Sequence, residues 1–336
     1  MTGGWAFRRF PSGRPPGRLG AMGRFDVLRR IEELDPARDF AEIYRLIGTY
    51  EFPWDMNQAL SFALFRTYAV PSIGGLLART GEFTGRAQKR YDDTVLILDA
   101  VLEHGMVSAE GRTAIRRMNQ MHRSYDISND DLRYVLATFV VMPIRWMDDY
   151  GWRRMTEIER IASANYYREL GRHMGIRDIP ATWQAFARLL DAYEREHFGF
   201  DLGGRTVAEA TLALLATFPP NHRLPAALVR RISFATMDEP LLNAFAFPRP
   251  GPVPRTLVRG ALKARGRAVR LMPPRREPFF ARQLPQIRSY PHGYDVADLG
   301  TFPPGCPVPP PRTALPDNMR EKAPVSSEGA VPERRS

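Results

Sequence analysis

The sequence predicts an all-α protein with a single multi-helix globular domain and disordered, basic ends. Three observations predict this fold class. Apolar residues recur at spacings of three and four, sustained alternation with period two is nearly absent, and Gly and Pro fall between the apolar runs. A chain of 336 residues, 44% of them hydrophobic, can bury a large core. We therefore expect a disordered arm over 1–24, one domain over 25–302 and a disordered Pro-rich tail over 303–336.

The helices predicted inside this domain follow directly from the apolar spacing. The clearest series are Val27, Leu28, Ile31 and Leu34, then Leu60, Ala63, Leu64 and Tyr68, then Val95, Leu96, Leu98 and Leu102, and finally Trp183, Phe186, Leu189, Leu190 and Tyr193. Prolines at 53, 71, 180 and 219–220 separate the runs, because proline cannot continue a helix without losing a hydrogen bond.

Two helix starts are marked by short polar patterns. Ser128 with Asp131 three places later resembles a capping box and predicts a helix over 129–141 that Pro143 interrupts. Thr156 with Glu159 repeats the pattern and predicts a helix that stops at Gly171. Helix capping is sufficient to explain Ser128, Thr156 and Glu159, and a role in a functional site is the alternative.

The net charge of +11 is concentrated at the two ends of the chain. Residues 1–24 carry five Arg and no acid, and residues 249–336 carry sixteen Lys or Arg against seven acids. A nucleic-acid-binding protein more often carries its basic residues on the folded body, so no nucleic-acid partner is expected.

Cysteine and hydropathy exclude further classes. Cys306 is the only cysteine, so an internal disulfide and a multi-cysteine metal site are excluded. No apolar run reaches the ~18–20 residues that span a bilayer. The basic N-terminal residues are not followed by the apolar stretch of an export signal, so a cytoplasmic location is expected.

The acidic stretch around Asp126 raises the question of a metal site. Asp126, Ser128 and Asp130 are spaced like the first ligands of a calcium loop, but Asp131 and Ala137 stand where such a loop needs Gly and Glu. The acid pairs Asp92–Asp93 and Asp130–Asp131 suggest magnesium-dependent terpenoid chemistry, but each lacks a further Asp three places on. Helix capping explains the stretch best.

His122 has two competing interpretations. It follows Met118 by one helical turn on an apolar segment, where a hydrogen-bonded core histidine is the common case. None of the other five histidines is paired with it at zinc-ligand spacing. A single imidazole is, however, enough to ligate haem iron, and nearby arginines can neutralise the propionates.

Several ordered motifs together resemble the MpaB-type oxygenases, whose catalytic domain is shared by the latex-clearing rubber oxygenases. The motifs include KRYDDT (89–94), RMNQMHRSYDISNDDLRYVL (117–136), WRRMTEIERIA (152–162) and SYPHGYDVADLG (289–300). The resemblance runs over about residues 45–300. It implies an all-helical, globin-reminiscent domain that binds haem b and cleaves an isoprenoid carbon–carbon double bond with O2 to give carbonyl products.

The same resemblance implies roles for particular residues. His122 becomes the haem-iron ligand, with Arg116, Arg117, Asn119 and Asn129 binding the cofactor and Asp126, Arg153 and Glu159 in catalytic roles. Rubber oxygenases have their proximal histidine on the next helix, where this chain has Leu136, so the axial side that His122 occupies stays open. An apolar, isoprenoid-like substrate and an unidentified electron donor are the expected partners.

A rival interpretation is a non-catalytic helical module of the same fold that binds a lipid or a partner. Residues 256–272 form a predicted basic amphipathic helix, with Leu257, Val258, Ala261, Leu262, Ala268, Val269 and Met272 on one side and Arg259, Lys263, Arg267 and Arg270 opposite. Arg265 alone interrupts the apolar side. Such a helix either contacts a membrane surface or covers the core of the domain.

Overall fold

The computed structural model describes residues 23–300, which form fourteen α-helices and no strand. The predicted all-α, single-domain fold class is confirmed. The disordered segments predicted for the two termini lie outside the described residues, apart from Gly23 and Arg24. The globin-reminiscent arrangement implied by the resemblance stays a prediction.

The elements follow one another with short connections. In chain order they are α1 (Asp26–Glu32), α2 (Phe40–Leu46), α3 (Pro53–Thr67), α4 (Pro71–Arg79), α5 (Glu82–Gly85), α6 (Ala87–His104), α7 (Ala109–Arg123), α8 (Asn129–Tyr150), α9 (Glu157–His173), α10 (Trp183–His197), α11 (Leu202–Ala216), α12 (Ala226–Thr236), α13 (Glu239–Ala244) and α14 (Pro252–Leu271). A π-helical turn, Ile47–Glu51, joins α2 to α3. Short 3₁₀ turns lie at Asn221–Arg223, Ala281–Gln283 and Val296–Asp298.

Helix α8 lies at the centre of the domain, in contact with α3, α9, α10 and α14. The predicted end of this helix before Pro143 is wrong, because the helix runs through the proline to Tyr150. An interior proline costs about 3 kcal/mol. Ile144 and Met147, which are 3% and 1% exposed, lie beyond it in the core. Burial of each such side chain contributes about 1.5–3 kcal/mol, which offsets the lost hydrogen bond.

The two predicted helix caps are confirmed. The Ser128 hydroxyl accepts a 3.0 Å hydrogen bond from the Asp131 amide at the start of α8. At the start of α9, the Thr156 hydroxyl accepts from the Glu159 amide, and a Glu159 carboxylate oxygen accepts from the Thr156 amide at 2.7 Å. Helix α9 continues two residues past the predicted stop at Gly171, to His173.

Helices α4 and α11 cross so closely that both need glycine at the contact. A Cβ atom on Gly74 would lie 2.3 Å from the Tyr68 carbonyl oxygen and 2.7 Å from the Gly204 Cα atom. A Cβ atom on Gly204 would lie 2.4 Å from that same oxygen. These distances leave no room for a side chain at either position.

The segment 279–300, here called the strap, packs along α6 and is held by buried carboxylates. Asp92 accepts hydrogen bonds from the backbone amides of Arg288 (3.0 Å) and Ser289 (2.8 Å). Asp93 accepts from the Lys89 ammonium at 2.7 Å and from the Tyr290 hydroxyl. Asp92–Asp93 is one of the two acid pairs that suggested magnesium chemistry. Its carboxylates accept hydrogen bonds from protein donors, and the pair anchors the strap.

Within residues 23–300, no single helix combines the length and apolarity needed to cross a bilayer. Helices α3 and α4 would meet the length and composition criteria together, but they are bent by 95° at their junction.

Candidate functional site

His122 lies near the C-terminal end of α7, one helical turn beyond the buried Met118. Its side chain is partly exposed, but Nδ1 is enclosed and has no hydrogen-bond partner among the described residues. Burial, with a smaller contribution from the charge of Arg90 on α6, lowers the pKa of the imidazole to about 4. The imidazole is therefore neutral near neutral pH, which is the form that can ligate a metal.

The other predicted cofactor residues mostly have protein partners. Arg116 is exposed, whereas Arg117 is buried and donates from Nε to the Leu299 carbonyl of the strap. Asn119 donates to the His173 carbonyl at 2.9 Å. Asn129 accepts from the Arg177 amide at 2.9 Å and donates to the Arg177 carbonyl at 3.3 Å. The two asparagines thus tie α7 and α8 to the loop that follows α9.

Arg153 and Glu159, the predicted catalytic pair, belong to a buried ion network with Glu51. Two Arg153 nitrogens donate to Glu51 at 2.6 and 3.0 Å, and two donate to Glu159 at 2.7 Å each. Glu51 and Glu159 are 4% and 0% exposed. Burial raises the pKa of Glu51, and the positive charge of Arg153 opposes that rise. The network joins the π-helical turn to the start of α9.

The structure divides the predicted site residues between the two ends of α9. Glu159 lies in the first turn of this helix, whereas Asn119 contacts its last residue, His173. Fourteen residues at 1.5 Å each separate these ends by about 21 Å. Asp126 lies between α7 and α8 and is exposed. The residues that the sequence predicted as one site therefore form two groups in the fold. His122 belongs to the group that includes Asn119.

A largely apolar cavity of about 100 Å³ lies between α3 and α6, with the strap forming part of its wall. We call it the tyrosine cavity, since Tyr44, Tyr91, Tyr166 and Tyr167 line it. Its apolar walls include Leu60, Leu64, Leu98, Leu102, Phe139 and Phe279. His122 is not among the lining residues.

Most polar groups of the tyrosine cavity have partners in the protein. The hydroxyls of Tyr44 and Tyr167 share a 2.7 Å hydrogen bond, and the Tyr91 hydroxyl donates to the Asn57 side chain at 3.3 Å. None of these tyrosines was predicted as a site residue, although Tyr91 lies in the KRYDDT motif. Arg90, in the same motif, was not predicted as a site residue either.

Comparison with known proteins identifies the family. Residues 56–271 match the family described as "ER-bound oxygenase mpaB/B'/Rubber oxygenase, catalytic domain". The chain belongs to this oxygenase family. The resemblance seen in the sequence motifs is therefore confirmed. The matched residues of this oxygenase domain include α4 through α14 and most of α3, but they stop before the strap.

Individual relatives are similar over part of their length. ER-bound oxygenase mpaB' of Penicillium brevicompactum is 28% identical over 280 residues, which are 77% of this chain and 66% of that protein. ER-bound oxygenase mpaB of Penicillium roqueforti (strain FM164) is 33% identical over 141 residues, 40% of this chain and 47% of that protein. ER-bound oxygenase mpaB of P. brevicompactum is 33% identical over 140 residues, 40% of this chain and 36% of that protein. Each alignment spans less than two thirds of the relative.

Proposed function

We propose that this oxygenase-family chain is a haem-b-dependent enzyme that cleaves a carbon–carbon double bond of an apolar, isoprenoid-like substrate with O2 to give carbonyl products. Membership in the family supports the oxygenase class. One observation carries the haem proposal. The buried Nδ1 atom of a neutral imidazole has no hydrogen-bond partner among the described residues, and this fits a histidine whose ring is available to a metal. Leu136, where rubber oxygenases have their proximal histidine, is 4% exposed in the core.

In this proposal His122 holds the iron, and haem supplies the oxygen chemistry. Arg90, whose charge acts on His122, is the cation that would neutralise a propionate group. Of the two arginines in the predicted cofactor segment, Arg117 lies inside the fold and Arg116 on its surface. The chain contributes a neutral ligand and a positive charge beside it.

The substrate part of the proposal rests on the tyrosine cavity. Its walls are mainly apolar, which suits an alkene. Asp126 is exposed and could exchange a proton with solvent. Arg153 and Glu159 already have a structural role in their ion network, so a catalytic role for either requires the substrate to reach the start of α9.

Haem binding is tested on the purified protein after expression with ample haem. We expect a Soret band that is lost in His122→Ala and kept in His222→Ala, because His222 is exposed on a 3₁₀ turn. Haem-loaded protein, given a chemical reductant in place of the unidentified electron donor, should convert polyprenyl or terpenoid alkenes to aldehydes or ketones. A folded protein that takes up no haem would overturn the oxygenase mechanism.

The second candidate function is a non-catalytic module that binds an apolar ligand. It is favoured by the protein partners of Arg117, Asn119 and Asn129, and by the absence of His122 from the cavity lining. Ligand binding by protein that does not bind haem would support this function, and carbonyl products that depend on haem would exclude it. The relatives are named ER-bound, whereas a cytoplasmic location for this chain stays a prediction.

A further inference from the structure

Tyr166 is the polar group of the tyrosine cavity whose hydroxyl has no hydrogen-bond partner among the described residues. The side chain is 4% exposed and stacks on Tyr44 with the ring centroids 4.2 Å apart. The neighbouring tyrosine hydroxyls are all bonded, since Tyr44 pairs with Tyr167 and Tyr91 pairs with Asn57. The Tyr166 hydroxyl is therefore a free hydrogen-bond donor at the wall of an apolar cavity, where a ligand acceptor could use it.

Charge limits which acceptor can occupy the cavity. Asp99 also lines it, and its carboxylate accepts hydrogen bonds from the amides of Ala281 (2.8 Å) and Arg282 (3.2 Å) in the strap. Burial, then the neighbouring Tyr44 and Asp99, raise the pKa of Tyr166 well above its usual value, so the hydroxyl remains a hydrogen-bond donor. A ligand carboxylate would lose its hydration among apolar walls, and the nearby Arg282 guanidinium is already paired with Asp99 (3.3 Å) and Glu103, so binding of such a ligand is disfavoured.

We propose that the tyrosine cavity binds a neutral, apolar molecule with one carbonyl or ether oxygen, and that the Tyr166 hydroxyl donates a hydrogen bond to this oxygen. The cavity volume of about 100 Å³ is several times the room that one water needs, about 15 Å³. A short branched chain with a terminal oxygen suits these walls. The inference rests on the proposed function only in taking this molecule as substrate or product, because binding needs neither haem nor O2.

Three probes that share one branched alkenyl chain, 4-methylpent-3-enyl, separate the contributions. Sulcatone is a methyl ketone with one isoprene-type double bond, the second probe is the alkene with a methylene group in place of its carbonyl, and the third is the acid with a carboxyl group in place of its acetyl group. Titration calorimetry on haem-free protein should show tightest binding for the ketone. One net hydrogen bond should make the dissociation constant of the ketone about 3–10 times lower than that of the hydrocarbon. The acid should bind most weakly.

The Tyr166→Phe variant should bind the ketone about 3–10 times more weakly than the wild type does. It should bind the hydrocarbon with the affinity of the wild type. Tyr150→Phe is the matched control, because Tyr150 is also buried, its hydroxyl makes no hydrogen bond within residues 23–300, and it lies outside the cavity. Equal effects of the two substitutions, or equal affinity for ketone and hydrocarbon, would overturn the proposal. Selective ketone binding by protein that takes up no haem would remove the oxygenase mechanism and leave this site in place.

A second, independent observation concerns the outer side of α14. Its inner side holds Leu262 and Val269 against the core, and Arg265 reaches both carboxylate oxygens of Asp55 at 2.7 Å. The residue predicted to interrupt the apolar side is thus an anchor. A Cβ atom on Gly266 would lie 2.5 Å from the Tyr150 carbonyl oxygen, so the helix lies close against the domain.

The apolar residues of this helix, predicted to lie on one side, are divided in the structure between core and solvent. Six exposed apolar residues fall within a sector of about 80° at about 100° per residue. They are Val253, Leu257, Ala261, Ala264, Ala268 and Leu271. Leu257 and Leu271 are 67% and 88% exposed. Exposed Lys263, Arg267 and Arg270 form an adjacent basic sector.

We infer that this side of α14 docks on an anionic lipid bilayer. The apolar sector would enter the interface, and the basic sector would lie against the negative headgroups. The positive charge of Lys263, Arg267 and Arg270 favours an anionic bilayer as the partner of this side of the helix. These three cations lie beside the apolar sector with no acidic residue between them, and they complement an anionic surface. Docking places the enzyme where water-insoluble alkenes concentrate.

Sedimentation with phosphatidylcholine vesicles, with and without phosphatidylserine, tests this surface. Each basic residue near an anionic membrane raises the membrane affinity by a factor of about 5. Changing Lys263, Arg267 and Arg270 to Gln should therefore weaken membrane binding about 100-fold. A control triple variant of equal charge changes exposed arginines elsewhere, namely Arg154, Arg188 and Arg195. Wild type and control should sediment only with the anionic vesicles and be released by salt. Equal binding of the two triple variants, or binding to neutral vesicles alone, would overturn the inference.

Discussion

Replacement of Arg153 by methionine is the sharpest test of whether the Arg153–Glu159 pair is structural. Methionine keeps an unbranched apolar stem but removes all four hydrogen bonds to Glu51 and Glu159. Glu159 keeps its bonds from the Thr156 amide and hydroxyl, whereas Glu51 loses its main counter-charge. The variant therefore leaves two buried carboxylates without their shared cation.

Removing one partner of a buried ion pair costs about 3–5 kcal/mol. That is a large fraction of the stability of a typical domain, which is about 5–15 kcal/mol. The loss should also depend on pH. Burial already raises the pKa of Glu51, and removal of Arg153, which lowers it, raises the pKa further. Because the pKa of Glu51 is higher in the folded than in the unfolded protein, the folded protein is more stable at low pH, where Glu51 is protonated. It loses this stability as the pH rises through the folded-state pKa of Glu51.

Urea unfolding of Arg153→Met and wild type at about pH 7.5 and about pH 5.5 measures both effects. We expect the variant to lose about 3–5 kcal/mol at the higher pH, and less at the lower pH because protonation removes the buried charge. Arg154→Met is the control, since the neighbouring arginine is exposed. If Arg153→Met unfolds like the wild type at both pH values but loses alkene turnover, Arg153 acts in the chemistry and the structural assignment fails.

Three further outcomes are expected from the same unfolding assay. Gly74→Ala should cost about 3 kcal/mol because its Cβ atom would lie 2.3 Å from a carbonyl oxygen, whereas Gly85→Ala, which meets nothing within 4 Å, should not destabilise. On acidification of haem-free protein from pH 6.5 towards 4, the wild type should lose about 3 kcal/mol more than His122→Leu, because the folded imidazole resists protonation. Ser128→Ala should cost about 1 kcal/mol, and Asp126→Ala, on an exposed residue, close to nothing.

Local patterns predicted the fold class and the helix starts, because caps and apolar periodicity involve neighbours in the chain. Ser128 and Thr156 make the predicted cap hydrogen bonds. The prediction at Pro143 failed, since the rule that proline ends a helix takes no account of the core burial of the residues beyond it. Tertiary burial decided the length of that helix.

The site was predictable as a set of residues but not as an arrangement. The motifs contain His122, Asn119 and Glu159, but their spacing does not reveal that α9 holds Glu159 and the Asn119 contact at opposite ends. The tyrosine cavity is assembled from residues more than a hundred positions apart, such as Tyr44 and Tyr167, and no local pattern marks such contacts.

The anchoring of the strap affects how this domain can be shortened. The family match ends at 271, but Phe279 and Ala281 form part of the cavity wall and the strap supplies the donors for Asp92 and Asp99. A chain cut at 271 would leave these carboxylates, 0% and 4% exposed in the complete fold, without those partners, and would open the cavity to water. The region that sequence comparison delimits therefore omits part of the cavity wall and the strap donors for these carboxylates. Expression boundaries and limited proteolysis should be interpreted with the strap, residues 279–300, included in the cooperative unit.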